Sequence, residues 1–363
     1  MNYYRKFLWF WESILCFLAV WILVPALSPS YNQLISLFHL FPNVLIYGLM
    51  GLLVICGVFL LIVHGKQLYK GRQVIEKIIW GLLLVIYADR IVLNFISLWI
   101  DCANMTARPD GFLATMLYMV IKERKIWLNG ILGTLKVSTL GTLLAFLLSI
   151  LLLFMRVNEP QKRDHEGMQL LKLIGNTFEK VYVTVIRGTP MMVQAAVIYY
   201  AGFGLTKSLM AGASITEINN TWSFYTAGLI TVTLNSAAYL AAVLRGAVES
   251  LDKGQKEAAA SLGFTNWQAM IKIIFPQAVR NSLPAIGNEF IINIKDTSVL
   301  NIIGFVELMF ATATVAGKYY QYLTSYCISA VIYLILTWTL TRLLALIGRL
   351  LGSSKSVSLP SSN

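Results

Sequence analysis

Residues 257–276 read Glu-Ala-Ala-Ala-Ser-Leu-Gly-Phe-Thr-Asn-Trp-Gln-Ala-Met-Ile-Lys-Ile-Ile-Phe-Pro. Glu257 to Leu262 are good helix formers, Asp252 and Gly254 precede them, and Gly263 offers a left-handed stop. The stretch therefore predicts a short polar helix, then an amphipathic segment ended by Pro276. Around it the chain is apolar over membrane-spanning lengths, with candidate spans near residues 7–26, 44–64, 78–100, 131–155, 190–209, 222–244, 283–304 and 322–348. A composition of 57% hydrophobic and 13% charged residues, arriving in such runs, excludes an ordinary soluble globule. The fold class read from these runs is all-α: a polytopic integral membrane helical bundle, with residues 252–276 as an extramembrane loop.

The formal net charge of +12 invites a nucleic-acid reading, but orientation in a membrane accounts for it first, because Lys and Arg gather on the cytoplasmic side. With the N-terminus inside, twenty of the 29 basic residues fall in cytoplasmic segments, seven in external ones, and two, Arg90 and Lys295, within spans. Both termini and the 252–276 loop are thus expected in the cytoplasm, and no nucleic acid is needed to explain the charge. The apolar run 112–121, followed by Lys122, Arg124 and Lys125, is too short to cross and reads as an outer interfacial helix. Cys16, Cys56, Cys102 and Cys327 lack metal-ligand spacing, and His39, His64 and His165 are scattered. The first apolar run follows Arg5 and Lys6 and reads either as a retained span or as a signal peptide ending near residue 28.

The chain divides near residue 128. Residues 1–128 form an extension with about three spans, 129–350 a core, and 351–363 a Ser-rich tail expected to be disordered. Residues 157–180 are the most polar part of the core, and from Leu170 onward Leu170, Ile174, Phe178, Val181 and Val185 make one apolar stripe on a surface-lying helix. Arg187-Gly188-Thr189-Pro190 then opens a span: Gly188 for a change of direction, Thr189 to cap the incoming helix, Pro190 for its first turn, Arg187 among headgroups. Asn235 and Tyr239 lie four apart on one helix face, either lining a pathway or hydrogen-bonding between helices. Asn288, Glu289, Asn293, Lys295, Asp296, Thr297 and Ser298 crowd another span, and such groups must face a cavity, a partner or one another.

Four of these strings carry a family resemblance. Glu257-Ala258-Ala259, three residues, Gly263, nine residues, Ile273, one residue and then Phe275-Pro276 resembles the signature loop of permease subunits of ATP-binding-cassette (ABC) importers, with Phe275 where Leu is usual. Arg187 to Pro190, Asn235 to Tyr239 and the Gly287 to Ser298 segment resemble the subfamily importing polar amino acids of the histidine, glutamine and arginine type; Ala242 stands where that pattern usually has Glu. The resemblance covers 129–350 and implies a type I ABC importer permease core of five helices, preceded by about three extra spans.

The resemblance also implies roles. Glu257, Ala258, Ala259, Gly263 and Pro276 would couple to an ATPase; Arg187, Gly188, Thr189 and Pro190 would form the turn into the membrane; Asn235, Tyr239, Asn293, Lys295, Thr297 and Ser298 would line the substrate pathway. No Gly-x-x-x-x-Gly-Lys-Ser/Thr string occurs, so no cofactor is expected on this chain, and ATP and Mg belong to an ATPase dimer. The further expected partners are an extracytoplasmic amino acid-binding protein, a second permease subunit and membrane lipid. An ion-coupled secondary amino acid transporter is the alternative: it would explain Lys295 and Asp296 but not the loop at Glu257. A membrane enzyme would need a polar catalytic cluster that the sequence does not offer.

Overall fold

Backbone amides have no water to pair with in hydrocarbon, so the apolar runs must close their own hydrogen bonds, and every regular element among the described residues is helical. The computed structural model describes residues 94–161 and 164–350, with isolated helical positions at 14–16, 18, 51–55, 58 and 81. The expected spans near 7–26 and 44–64, most of the one near 78–100, and the 351–363 tail lie outside the described residues. Two compact units separate between Lys122 and Glu123; the sequence reading had put the division near residue 128.

In the first unit α1 (Asn94–Asn104) and α2 (Phe112–Lys122) form a helical pair. Thr115 donates its hydroxyl to the Pro109 carbonyl at 2.9 Å, Tyr118 to that of Thr106 at 3.2 Å, and the Lys122 ammonium to that of Ala103 at 3.0 Å. The run expected as an interfacial helix is α2. Its 11 residues span about 16 Å, too short to cross a bilayer.

The second unit runs α3 (Arg124–Val157), α4 (Glu166–Arg187), α5 (Met191–Leu209), α6 (Ile215–Thr221), α7 (Phe224–Glu249), α8 (Gly254–Ser261), α9 (Asn266–Ala269), a π turn (Met270–Ile274), α10 (Phe275–Asp296), a 3-10 turn (Thr297–Ile303), α11 (Leu308–Tyr319) and α12 (Tyr322–Leu350). By length and apolarity three of the described helices can cross a membrane, or five spans when the bent pairs α4–α5 (110°) and α9-to-α11 (55°) each count as one. The expected span 283–304 is thus the upper part of a longer helical run that starts at Asn266.

Small residues set the closest contact. Gly130, Thr134, Ser138, Gly141, Thr142, Ala145 and Ser149 form the buried seam of α3, and Ala227, Gly228, Thr231, Ser236, Ala237, Ala238 and Ala241 line the buried face of α7, its most extensive partner. Without a hydrophobic force between helices in lipid, such seams hold by close backbone approach and dispersion. Gly133, one turn from Gly130, lies where the chain before α11 crosses α3: an added Cβ would be driven into the Val306 carbonyl oxygen. By contrast α12 buries none of its most apolar window and forms an outer wall.

At the end of this seam Glu123 clasps α3 to α11. Its Oε1 accepts from the Lys318 ammonium at 2.6 Å and from the Tyr319 hydroxyl at 2.7 Å. Burial by itself would raise the carboxyl pKa, but the two hydrogen bonds and the Lys318 charge outweigh it and hold the group below the usual carboxylate range.

Gly133→Ala should destabilise the protein by about 1–3 kcal/mol through overpacking, read as a lowered melting temperature in detergent; Gly204→Ala, with nothing within 4 Å of its added Cβ, should leave it unchanged or raised. Because the Glu123 pKa is depressed, the clasp contributes above the unfolded carboxylate pKa of about 4.3 and fades as pH falls through the lowered value. The stability gap between wild type and Lys318→Met should accordingly be widest at neutral pH and close on acidification, as thermal melts across pH will show.

Candidate functional site

The 252–276 loop folds as two short helices, α8 and α9, followed directly by the π turn. The Asp252 carboxylate accepts from the Gly254 N–H at 2.7 Å and starts α8; Gly263, at φ +81°, ends it. The Gly263 N–H donates to the Ala260 carbonyl and the Phe264 N–H to the Ala259 carbonyl, both at 3.0 Å, the paired bonds of a Schellman closure. Thr265 and Gln268 then form a reciprocal capping box that begins α9 at once.

Glu257 and Ala258 are exposed, whereas Ala259 is 1% exposed and turned inward. Of the residues expected to couple, Ala259 is thus turned away from the surface that Ala258 and Ala260 present, because successive residues lie about 100° apart on a helix. Beneath lies an apolar cluster of Leu153, Leu244, Val248, Met270, Ile274 and Ala278. Phe154 packs its ring 5.3 Å from Trp267 and 5.2 Å from Phe275, so the Phe at the usual Leu position fills space against α3.

Pro276 does not end the segment as expected. It occupies the first turn of α10, directly after the π turn, and the chain stays helical from Asn266 to Ile303. In an uninterrupted α-helix its ring would clash with the Lys272 carbonyl; the π turn, where the Phe275 N–H reaches back to Met270, widens the backbone at that point.

At residues 187–190 the helix axis turns by 110°. Gly188 has ordinary right-handed angles (φ −88°, ψ −2°), so its left-handed freedom is not used. Thr189 does not cap α5: its hydroxyl donates back to the Val185 carbonyl at 2.9 Å, and Pro190 holds the N-cap position of α5. The residue that fastens the bend is one the sequence reading passed over, Gln194. Its amide nitrogen reaches the Ile186 carbonyl at 2.8 Å and both Thr189 oxygens at 2.9 and 3.0 Å. Its carbonyl accepts from Asn235 at 3.0 Å, which ties the bend to α7.

Asn235 is thereby buried and consumed, while Tyr239, 38% exposed, reaches the surface with the Arg187 guanidinium 5.2 Å from its ring centre. The structure gives Asn235 an interhelical bond and leaves Tyr239 accessible.

On α10, Asn293 is 1% exposed. Its oxygen accepts from Ser236 of α7 at 2.9 Å and its nitrogen donates to Thr142 of α3 at 2.8 Å. Thr297 is fully buried, its hydroxyl on the Ile294 carbonyl at 3.0 Å; Ser298 is half-buried, and Lys295 and Asp296 are exposed. Glu307, also missed, is fully buried at the start of α11 and accepts from the Met309 and Phe310 N–H groups at 2.6 Å and from the Tyr333 hydroxyl at 3.2 Å. Among the described residues no group of three or more His, Cys, Asp or Glu is placed to hold a metal ion.

A family model described as "Binding-protein-dependent transport system inner membrane component" matches residues 174–356. The Escherichia coli (strain K12) "Glutamine transport system permease protein GlnP" is 37% identical over 171 residues, 47% of this chain and 73% of that protein. The Bacillus subtilis (strain 168) "Probable amino-acid permease protein YxeN" is 38% identical over 158 residues, 44% of this chain and 66% of that one. A solved structure described as "Crystal structure of an amino acid ABC transporter with histidines" shares 33% identity at a TM-score of 0.52, covering 68% of this chain and 99% of that one.

Asn293 bridges three helices, so Asn293→Leu strands the Ser236 and Thr142 hydroxyls in the interior and should cost about 1–3 kcal/mol. Thermal unfolding of the purified protein checks this, with Lys295→Gln, an exposed neighbour, expected to leave the melting temperature unchanged.

Proposed function

The chain belongs to the binding-protein-dependent transport system inner membrane component family, within its amino acid ABC permeases, and from that premise we propose that it translocates a polar amino acid into the cell, powered by ATP hydrolysis on separate subunits. The observation that carries this reading is α8: a short, exposed helix closed at both ends and mounted through α9 and the π turn on α10. An ATPase surface gripping Glu257 and Ala258 would thereby move a continuous helical run that ends among the buried groups of the core. Gly263 fixes the exit angle of α8, and Pro276 sits at the joint with α10.

In this reading both termini and the loop at 252–276 face the cytoplasm, as the distribution of basic residues favours. Two permease chains, identical or homologous, enclose the pathway, an extracytoplasmic binding protein delivers the amino acid, and the ATPase dimer binds ATP and Mg. Closure of that dimer rocks the bundle between inward- and outward-open states. Tyr239 and Lys295, the accessible members of the expected pathway set, are the groups we assign to contact cargo, the half-buried Ser298 follows Lys295 by three residues, and Asn235, Asn293 and Thr297 hold the helices that present them. Arg187 to Pro190 set the angle at which α5 enters the bilayer.

A side chain at position 263 must adopt φ near +81°, at a cost of roughly 1–2 kcal/mol for a non-glycine residue. Gly263→Leu and Glu257→Lys should each sharply reduce substrate-stimulated ATP hydrolysis and uptake by the reconstituted complex while membrane insertion stays intact. Wild-type uptake by a correctly inserted Gly263→Leu protein would sink the coupling role.

A further inference from the structure

Where the chain leaves α3 it meets α8 and α9 around a cavity of about 310 Å³, and no residue assigned to coupling or to the pathway lines it. Three rings form its apolar wall: Phe154 of α3, Phe264 of the turn between α8 and α9, and Trp267 of α9, whose ring lies 5.3 Å from that of Phe154. Trp267 is 50% exposed, so the aromatic wall is open to solvent. The polar wall carries one charge of each sign. Glu159 comes from the turn after α3 and Lys256 from α8, and the side-chain amides of Asn158 and Asn266 line the same space. Among the described residues neither Glu159 nor Lys256 is in an ion pair, and neither amide side chain has a hydrogen-bond partner. Lys256 and Ala260, four apart, are the α8 residues on the cavity, whereas Glu257 and Ala258 lie about 100° and 200° round the helix from Lys256 and do not line it.

Size and charge together narrow the occupant. The cavity falls at the small end of ligand pockets, which run from roughly 300 to 1,000 Å³ and pair an apolar lining with a few convergent polar groups. A phosphate ligand would face the Glu159 carboxylate, and a plain hydrocarbon would take two charges out of water without pairing either. A zwitterion satisfies both walls. We propose that this cavity binds a free α-amino acid with an apolar side chain, its carboxylate on Lys256, its ammonium on Glu159 and its side chain against Phe154, Phe264 and Trp267, and that occupancy brakes transport. A ligand held there ties the end of α3 to α8 and α9, and so opposes any shift of the loop against the bundle. The brake rests on the coupling role proposed for α8; the binding does not.

Isothermal titration of L-leucine into the complex of permease and ATPase in nanodiscs tests the binding. Wild type should bind leucine, and should bind leucinamide, which lacks the carboxylate, and 4-methylpentanoate, which lacks the ammonium, several-fold more weakly. The Glu159→Gln/Lys256→Gln double variant, with two exposed side chains exchanged for neutral ones and an unchanged melting temperature, should weaken leucine binding several-fold and erase that order of preference. Leucine should also lower substrate-stimulated ATP hydrolysis several-fold in wild type and not in the double variant. No binding of leucine by wild type, or equal binding by the double variant, overturns the site; bound leucine with unaltered hydrolysis overturns the brake. A cross-link from Glu159→Cys to the ATPase in the resting complex gives the cavity to that subunit and overturns the proposal as well. Failure of the coupling reading, seen as wild-type uptake by Gly263→Leu, would leave the titration as it was.

Discussion

The interior of this bundle depends on one amide. Asn293 of α10 takes a hydrogen bond from Ser236 of α7 and gives one to Thr142 of α3, and all three groups are buried or nearly so. In hydrocarbon the helices have no hydrophobic reason to prefer one rotation over another, and a polar group left unpaired there costs several kcal/mol. Satisfying the amide therefore fixes the rotation of three helices at once. The small residues of α3 and α7 then bring the backbones close enough for dispersion to hold them.

The same economy of polar groups recurs at each break in the bundle. Gln194 gathers the acceptors freed where α4 turns into α5 and passes its own carbonyl to Asn235. Glu307 satisfies the open N–H groups at the start of α11, and Glu123 closes the far end of that helix through Lys318 and Tyr319. Irregular backbone at membrane depth persists only where protein groups complete its hydrogen bonds. Each bend here has a side chain assigned to that task.

Sequence pattern is enough to read the apolar helices among the described residues, the short α8 with its glycine stop, and the stripe on α4, because each depends on residues within a few turns of one another. Tertiary partners were not legible. Asn235 and Tyr239 look alike as a pair four apart, yet one is locked against Gln194 and the other lies open beside Arg187, a difference set by a helix 41 residues away. Thr189 had the composition of a cap, but the preceding helix offered its hydroxyl a nearer acceptor. Pro276 read as a terminator because a π turn leaves no local signature in the sequence, only a proline that an α-helix would not tolerate.

That π turn has a consequence for phase. It wraps one residue more than an α turn would, so its conversion to α geometry would screw everything beyond Phe275 through about 100° and 1.5 Å relative to α9. Asn293 points at Thr142 and Ser236 only with the extra residue in place. The five residues Met270–Ile274 thus act as the index mark between the loop and the bundle: they determine which side of α10 faces inward, and tightening that turn to α geometry with all its residues kept would misalign the interior while leaving both helices formed.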